Sequence, residues 1–375
     1  MQNILRNYYQ KGSMLKNNLI KILVFLLFVI TNTVNAQETA EHHNSEEKDI
    51  KVEIKEYINH HLLDSYDFSL YSYTNDEGEH KYVGFPLPVI LIDGGLKVFS
   101  SSKFHHGETV AEVDGNYYTV FHNKIYKTDA EGTITLDDHH HPTNVKPLDF
   151  SITKNVAVIF LVGLLMFFMF SRMAKSYQKN NLMPLGFGRM LEPIIMYIRD
   201  DIAIPNIGKK HYKKYMSYLL TVFFFVWIIN LLGLTPLGVN VTNNIAVTFA
   251  LALITYLLTT FTANKNYWKH IFWMPGVPGP MKVILAPIEL LGTIIKPFSL
   301  MIRLYANITA GHIVLMSIIG LMFIFKSWIG SPLSFGLAFA LALLELLVSA
   351  LQAYIFTMLS ALYFGMAVEE HDDHH

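Results

Sequence analysis

Five ionisable side chains stand inside apolar runs in the last third of the sequence: Glu289, Lys296, Arg303, His312 and Glu345, with Asn307 and Gln352 as polar companions. An arginine near the centre of a membrane-spanning helix costs about 2.5–3.5 kcal/mol on insertion scales. A sequence retains such groups only where partners or water meet them, so they point to an ion or proton pathway. Glu289, Lys296 and Arg303 are spaced two turns apart and share a face of a regular helix, with Asn307 one turn beyond. His312 falls opposite Arg303 by 3.6-residue counting, where it can meet a second helix; on that helix Glu345 and Gln352 again stand two turns apart. Proton exchange is the chemistry this set offers. An imidazole titrates near neutral pH, a carboxylate can be shifted toward it, and a guanidinium does not practically deprotonate. The plainer alternative is a structural His312–Glu345 pair, with Glu289 and Lys296 snorkelling from a helix end.

Positioning these residues falls to two very long apolar stretches, Met281–Phe325 and Leu333–Val368. Each exceeds the roughly 20 residues a bilayer requires. Strong tilt or a bend accommodates them, with Pro287 and Pro297 as candidate bends and Ser331-Pro332 as the turn between. Three shorter spans precede them: Ile152–Phe170, Tyr215–Leu234 and Ile245–Thr262. Arg172, Lys175 and Lys179 follow the first span, Lys209, Lys210, Lys213 and Lys214 precede the second, and Lys265, Trp268 and Lys269 follow the third. The positive-inside bias assigns all three of these ends to the cytoplasm. Leu182–Ile202, carrying Arg189, Glu192 and Arg199, is too polar to span and suits the interface. The expected fold is mainly α: a polytopic membrane protein with two long tilted C-terminal helices and a small exported β-rich module.

Composition agrees. Hydrophobic residues make up 52% and charged residues 16%, against about 25% charged in a soluble domain. A formal net charge of -1 supplies no basic field for nucleic acid. The chain has no cysteine, which excludes disulfides, thiolate catalysis and Cys-ligated metal. Lys16 and Lys21, the apolar run Ile22–Ile30 and the ending Val34-Asn35-Ala36 form a secretory signal pattern over residues 1–36, with Met14 an alternative start. Residues 37–148 are then exported and 149–375 form the membrane domain. Gln37–Asp49 reads as a flexible lead-in and Lys51–Leu63 as a short amphipathic helix. Strand-like runs follow at Tyr82–Ile92, Leu96–Ser100, Tyr117–Tyr126 and Thr133–Leu136, split by Asp93-Gly94-Gly95 and Asp114-Gly115-Asn116. Asp137–His141 and His371–His375 read as solvated histidine-rich linkers rather than metal sites, because adjacent histidines lack one-face spacing. No metal or cofactor is expected.

The run Lys296-Pro-Phe-Ser-Leu-Met-Ile-Arg303-Leu-Tyr-Ala-Asn307-Ile-Thr-Ala-Gly-His312 closely resembles the motif of subunit a of the rotary F-type ATP synthase. Leu351-Gln352-Ala-Tyr-Ile-Phe and Met366-Ala-Val-Glu-Glu-His371 are similar to that family's final helix and C-terminus. Asn230-Leu-Leu-Gly-Leu-Thr-Pro236 and Asn244-Ile-Ala-Val-Thr248 are similar to its middle helices, and Tyr57-Ile-Asn-His-His61 to its N-terminal approach. Tyr66–Pro142 goes beyond the compact family pattern.

The resemblance implies a proton-channel stator with two offset half-channels, in which Arg303 is the essential arginine facing a ring of c subunits. It implies Asn307 and Gln352 as polar neighbours of that arginine and Glu289 as an acid on an aqueous path. Some members carry Glu then His where this chain carries His312 then Glu345, a reciprocal exchange that suggests the two side chains meet. Implied partners are the c-ring, the subunit b peripheral stalk, the remaining synthase subunits, the bilayer and a translocated proton or sodium ion, in a bacterial-type inner membrane with the C-terminus cytoplasmic. Nucleotide chemistry is expected elsewhere, since no G-x-x-x-x-G-K-[ST] run occurs. The alternatives are an ion-coupled secondary transporter with an exported accessory domain, and an envelope sensor anchored by its helices.

Overall fold

The structure, a computed structural model, describes residues 64–74, 80–107, 109–139, 141–179, 186–235, 239, 241–274, 277–324 and 330–369. The expected signal segment, the lead-in, the Lys51–Leu63 helix and the terminal histidines lie outside the described residues.

Three small antiparallel sheets come first. Strands β1 (Asp67–Thr74) and β2 (His80–Pro86) form a hairpin. Strand β3 (Pro88–Ile92) is flanked by β4 (Leu96–Ser100) and by β8 (Leu148–Asp149), while β5 (Ala111–Val113), β6 (Asn116–Phe121) and β7 (Lys124–Thr128) make the third sheet. Two expected runs divide. Tyr82–Ile92 breaks at Leu87, whose N–H leaves the ladder for Ser101 Oγ at 3.0 Å. Tyr117–Tyr126 turns at His122-Asn123, with φ of 46 and 56, the paired left-handed conformation of a tight hairpin. Histidine is an uncommon turn residue, so pattern alone missed it. Thr133–Leu136 is not a strand; it contributes an isolated bridge, Leu136 to Pro142.

Val89, Leu91, Phe104, Tyr118 and Ile125 form the module's core. Strand β4 is turned inside out: Lys97 is buried with its Nζ 3.3 Å from Val113 O, while Leu96 and Val98 face outward. The Asp93 carboxylate accepts from Lys127 Nζ and Tyr118 OH, each at 2.9 Å, which hold it below the usual carboxylate range.

Strand β8 runs directly into helix α1 (Lys154–Lys179). Phe150 N donates to Ile90 O, Ile152 N to Pro88 O and Lys154 N to Ser65 O, while Asp64 Oδ1 accepts from Asn155 N at 3.1 Å. An acid at a helix start satisfies a donor that has no partner within the helix. Lys154 is buried with its Nζ 5.8 Å from the Phe68 ring centre. The module is therefore hydrogen-bonded to the top of α1 on two sides.

Helix α2 (Phe187–Tyr197) passes through a π-helical turn, Ile198–Ala203, into the short α3 (Ile204–Ile207). Next come α4 (Tyr212–Gly233), a 3-10 turn at Val241–Asn243, α5 (Ile245–Thr262) and α6 (Lys265–Phe272). Last are α7 (Gly279–Ile324) and α8 (Gly330–Val368). Among the described residues five helices, α1, α4, α5, α7 and α8, are long and apolar enough to cross a membrane. At 1.5 Å per residue α7 is about 69 Å long and α8 about 58 Å, twice a hydrocarbon core of about 30 Å, so they must cross steeply inclined. Pro287 and Pro297 lie within an unbroken α7. Ser331-Pro332, expected as a turn, instead lies in the first turn of α8, where a proline removes no helical hydrogen bond.

Threonines satisfy themselves inside the bundle. Thr255, Thr259 and Thr262 return their hydroxyl protons to carbonyls four residues back. Tyr215 OH donates to Thr262 Oγ1 at 2.6 Å, and the Tyr215 ring stacks on Phe364 at 4.4 Å. Asn264, between α5 and α6, donates to the carbonyls of Ala367 and Val368 and so closes the end of α8.

Helix α8 approaches α3 at Gly365, where a Cβ would stand 1.9 Å from the Asn206 carbonyl oxygen. Backbone cannot yield there as a flexible side chain would. Gly365→Ala should lower the stability of the full-length chain in detergent by roughly 2 kcal/mol or more, read by thermal unfolding. Gly336→Ala on the same helix, where nothing lies within 4 Å, should be neutral or stabilising by about 0.5–1 kcal/mol. Equal effects at both positions would refute the close-approach argument.

Candidate functional site

The two long helices pack against each other, and their meeting line holds the buried charges. His312 Nδ1 on α7 lies 3.6 Å from Glu345 Oε1 on α8, with side chains 6% and 8% exposed. The counting that put His312 opposite Arg303 and toward the second helix is met by this contact. The carboxylate also lies against Gly311 of α7, where a Cβ would stand 3.4 Å from Glu345 Oε1, an ordinary contact distance. Glu345 Oε2 has no hydrogen-bond partner among the described residues, nor has Ser349 Oγ one turn further along α8.

One turn before His312, the Thr309 hydroxyl is shared between Asn243 Oδ1 and the Tyr305 carbonyl. Thr242 Oγ1 donates to Asn230 Oδ1 at 3.0 Å, leaving Asn230 Nδ2 buried without a partner among the described residues. These bonds clamp the 3-10 turn between α4 and α7. Asn244 then accepts from Ala246 N at 3.0 Å and caps α5, the usual work of Asn at a helix start. The Asn230 and Asn244 motifs thus hold the turn that meets α7 at Thr309, one helical turn before His312. Sequence reasoning quoted those motifs without their task and missed Thr309, Ser349 and Gly311; small polar residues in an apolar run gave the only signal.

Arg303 is half-buried on the other side of α7 and makes no ion pair among the described residues. Asn307, one turn on, is exposed, whereas Gln352 is buried on the same face of α8 as Glu345. Glu289 and Lys296 are half-buried and unpaired with each other or with Arg303. Lys296 Nζ lies 3.8 Å from Met366 Sδ and 6.0 Å from the Tyr363 ring centre. Beside it is a cavity of about 20 Å³ touched by Tyr256, Thr259, Tyr267 and Thr293, room for about one water. Outside this arc, ranks of large apolar side chains are exposed: Ile288, Leu291, Ile295, Phe298 and Ile302 on α7, and Phe339, Leu343, Leu347 and Leu351 on α8. Among the described residues no group of three or more His, Cys, Asp or Glu is placed to hold a metal ion.

Comparison with known proteins gives the family. Residues 156–365 match the model described as ATP synthase A chain, and residues 57–150 match one described as a domain of unknown function (DUF8433). ATP synthase subunit a 2 of Chlorobaculum tepidum is 43% identical over 238 residues, covering 61% of this chain and 67% of the relative. ATP synthase subunit a of Chloroherpeton thalassium is 40% identical, covering 63% and 72%. ATP synthase subunit a 2 of Prosthecochloris aestuarii is 36% identical over 304 residues, covering 77% of this chain and 92% of its own length. Five helices among the described residues long enough to span a membrane, a buried acid–imidazole pair and a match over more than half of the chain therefore lead to one conclusion: this multi-pass membrane protein belongs to the ATP synthase A chain family.

Proposed function

We propose that the chain is the stator of an F-type ATP synthase membrane sector, with two offset half-channels that meet a c-ring at Arg303. The observation that carries this reading is the distribution of polar groups along α7. Glu289 and Lys296 precede Arg303, and Asn307 and His312 follow it. At 1.5 Å per residue, Glu289 is about 21 Å to one side and His312 about 13 Å to the other. Two polar paths separated by one cation are what offset half-channels require.

The chemistry follows from charge. A carboxylate on the ring crosses lipid when neutral and must ionise to release its ion. Arg303 keeps its proton, so it stabilises the ionised carboxylate without relaying protons between the two paths. Outer-side protons are exchanged through Glu345 and His312, while Glu289 and Lys296 border the opposite path. The apolar ranks on α7 and α8 supply the sliding contact with the ring. Nucleotide chemistry belongs to other subunits, and subunit b is the expected partner holding the stator still.

Orientation rests on the basic ends. Arg172 and Lys175 end α1, Lys213 and Lys214 begin α4, Lys265 and Lys269 lie beside the end of α8, and Lys282 begins α7. Under the positive-inside bias these ends are cytoplasmic, so residues 37–148 are exported after removal of residues 1–36 and the C-terminus is cytoplasmic.

Three outcomes test the reading. Arg303→Ala in an assembled complex should abolish ion-driven ATP synthesis, and Arg303→Lys should impair it severely, because a buried ammonium is a compact charge whose pKa moves readily. Near-normal synthesis by Arg303→Ala in a complex that copurifies with its c-ring would sink the stator role. His312→Glu and Glu345→His should each reduce proton flux by placing like groups together, and the double exchange should restore part of it; strictly additive losses would show that the pair does not act jointly. Protease added to right-side-out vesicles should cut residues 64–148. Cleavage there only in inverted vesicles would reverse the topology.

A further inference from the structure

Helices α1, α2 and α4 enclose a groove of about 890 Å³ that the proposed proton pathway does not use. Its walls are apolar, among them Leu165, Phe168, Met190, Trp227 and Leu231, and Arg172 stands at one end. Along α1 the groove runs from Leu165 to Ser176, about 16 Å of helix.

The polar end carries uncompensated positive charge. Arg172 is exposed and makes no ion pair among the described residues. The first turn of α2, which closes that end through Gly186 and Gly188, contains no acidic residue. Glu192, the acid of α2, accepts the Tyr177 hydroxyl at 2.8 Å instead. Next to the groove, α1 presents Phe160, Leu161, Leu164 and Phe167 outward, so the opening lies on a lipid-facing surface.

We propose that this groove is a binding site for a single anionic phospholipid, its acyl chains along Phe168 and Trp227 and its phosphate on Arg172. Charge complementarity selects the head: a guanidinium forms paired hydrogen bonds with phosphate oxygens, and basic pockets between spanning helices take anionic headgroups. The apolar walls and the lipid-facing opening select the tail, which an acyl chain fits. The size falls within the about 300–1,000 Å³ common to ligand sites. The inference depends only on the basic end of α1 and holds for whichever leaflet that end meets.

Native mass spectrometry of the full-length chain, released from detergent after loading with phosphatidylglycerol or phosphatidylcholine, tests it. One phosphatidylglycerol per chain should be retained, with phosphatidylcholine retained about tenfold less, the scale of one charge-assisted contact. Arg172→Gln, at an exposed position, should keep the thermal stability and lose the preference, and Arg172→Lys should keep part of it. Equal retention of both lipids, or an unchanged preference in Arg172→Gln, would overturn the site. A photoreactive phenylalanine analogue at position 168, activated in native membranes containing the whole complex, should give a lipid adduct. An adduct with another polypeptide would assign the groove to a protein helix and refute the proposal.

Discussion

Hydrocarbon offers nothing to a buried donor or acceptor, so polar side chains between the spanning helices must find their partners within the protein. Much of the bundle follows from that demand. Thr255, Thr259 and Thr262 bond back to their own helix, Tyr215 and Tyr218 reach across to threonines of α5, and Asn264 takes up the last carbonyls of α8. Against this background the exceptions stand out. Glu345 Oε2, Ser349 Oγ and Asn230 Nδ2 are buried without partners among the described residues, and the first two stand one turn apart on α8.

Close backbone approach is the second device. The Glu345 side chain lies against Gly311 of α7, and Gly365 lets α8 touch the α3 backbone at Asn206. Both glycines are helical, where they cost stability relative to alanine; at Gly365 a Cβ would collide with the Asn206 carbonyl, whereas at Gly311 it would meet Glu345 at ordinary contact distance. Without such contacts a 46-residue helix and a 39-residue helix would have little besides lipid-like packing to set their inclination. Small residues at a crossing perform the same task in membrane helices generally.

The β-rich module is continuous with the first span. Its last strand feeds α1, and hydrogen bonds from Phe150, Ile152, Lys154 and Asn155 return to earlier parts of the module. A load on the module therefore reaches α1, whose other end carries Arg172 and one wall of the apolar groove. The two features that the proposed proton pathway leaves unused thus lie on one helix.

Length and period made the spans legible, because twenty apolar residues have few stable alternatives in or out of a membrane. Seven-residue spacing likewise carried the shared face of Glu345 and Gln352, and half-turn counting carried the contact of His312 with a second helix, since both depend only on the helical repeat. Charge burial and family resemblance singled out Arg303. Local pattern failed where partners are distant in sequence: His122-Asn123 turns because β6 and β7 pair, Leu87 breaks a strand because Ser101 captures its N–H, and Ser331-Pro332 joins a helix instead of ending one. Nor could sequence tell that Thr309 would meet Asn243, or that Gly311 would receive Glu345. Composition and periodicity state which groups must leave water. Only packing decides which of them meet, because distances of a few ångströms between residues far apart in the chain are set by tertiary contacts.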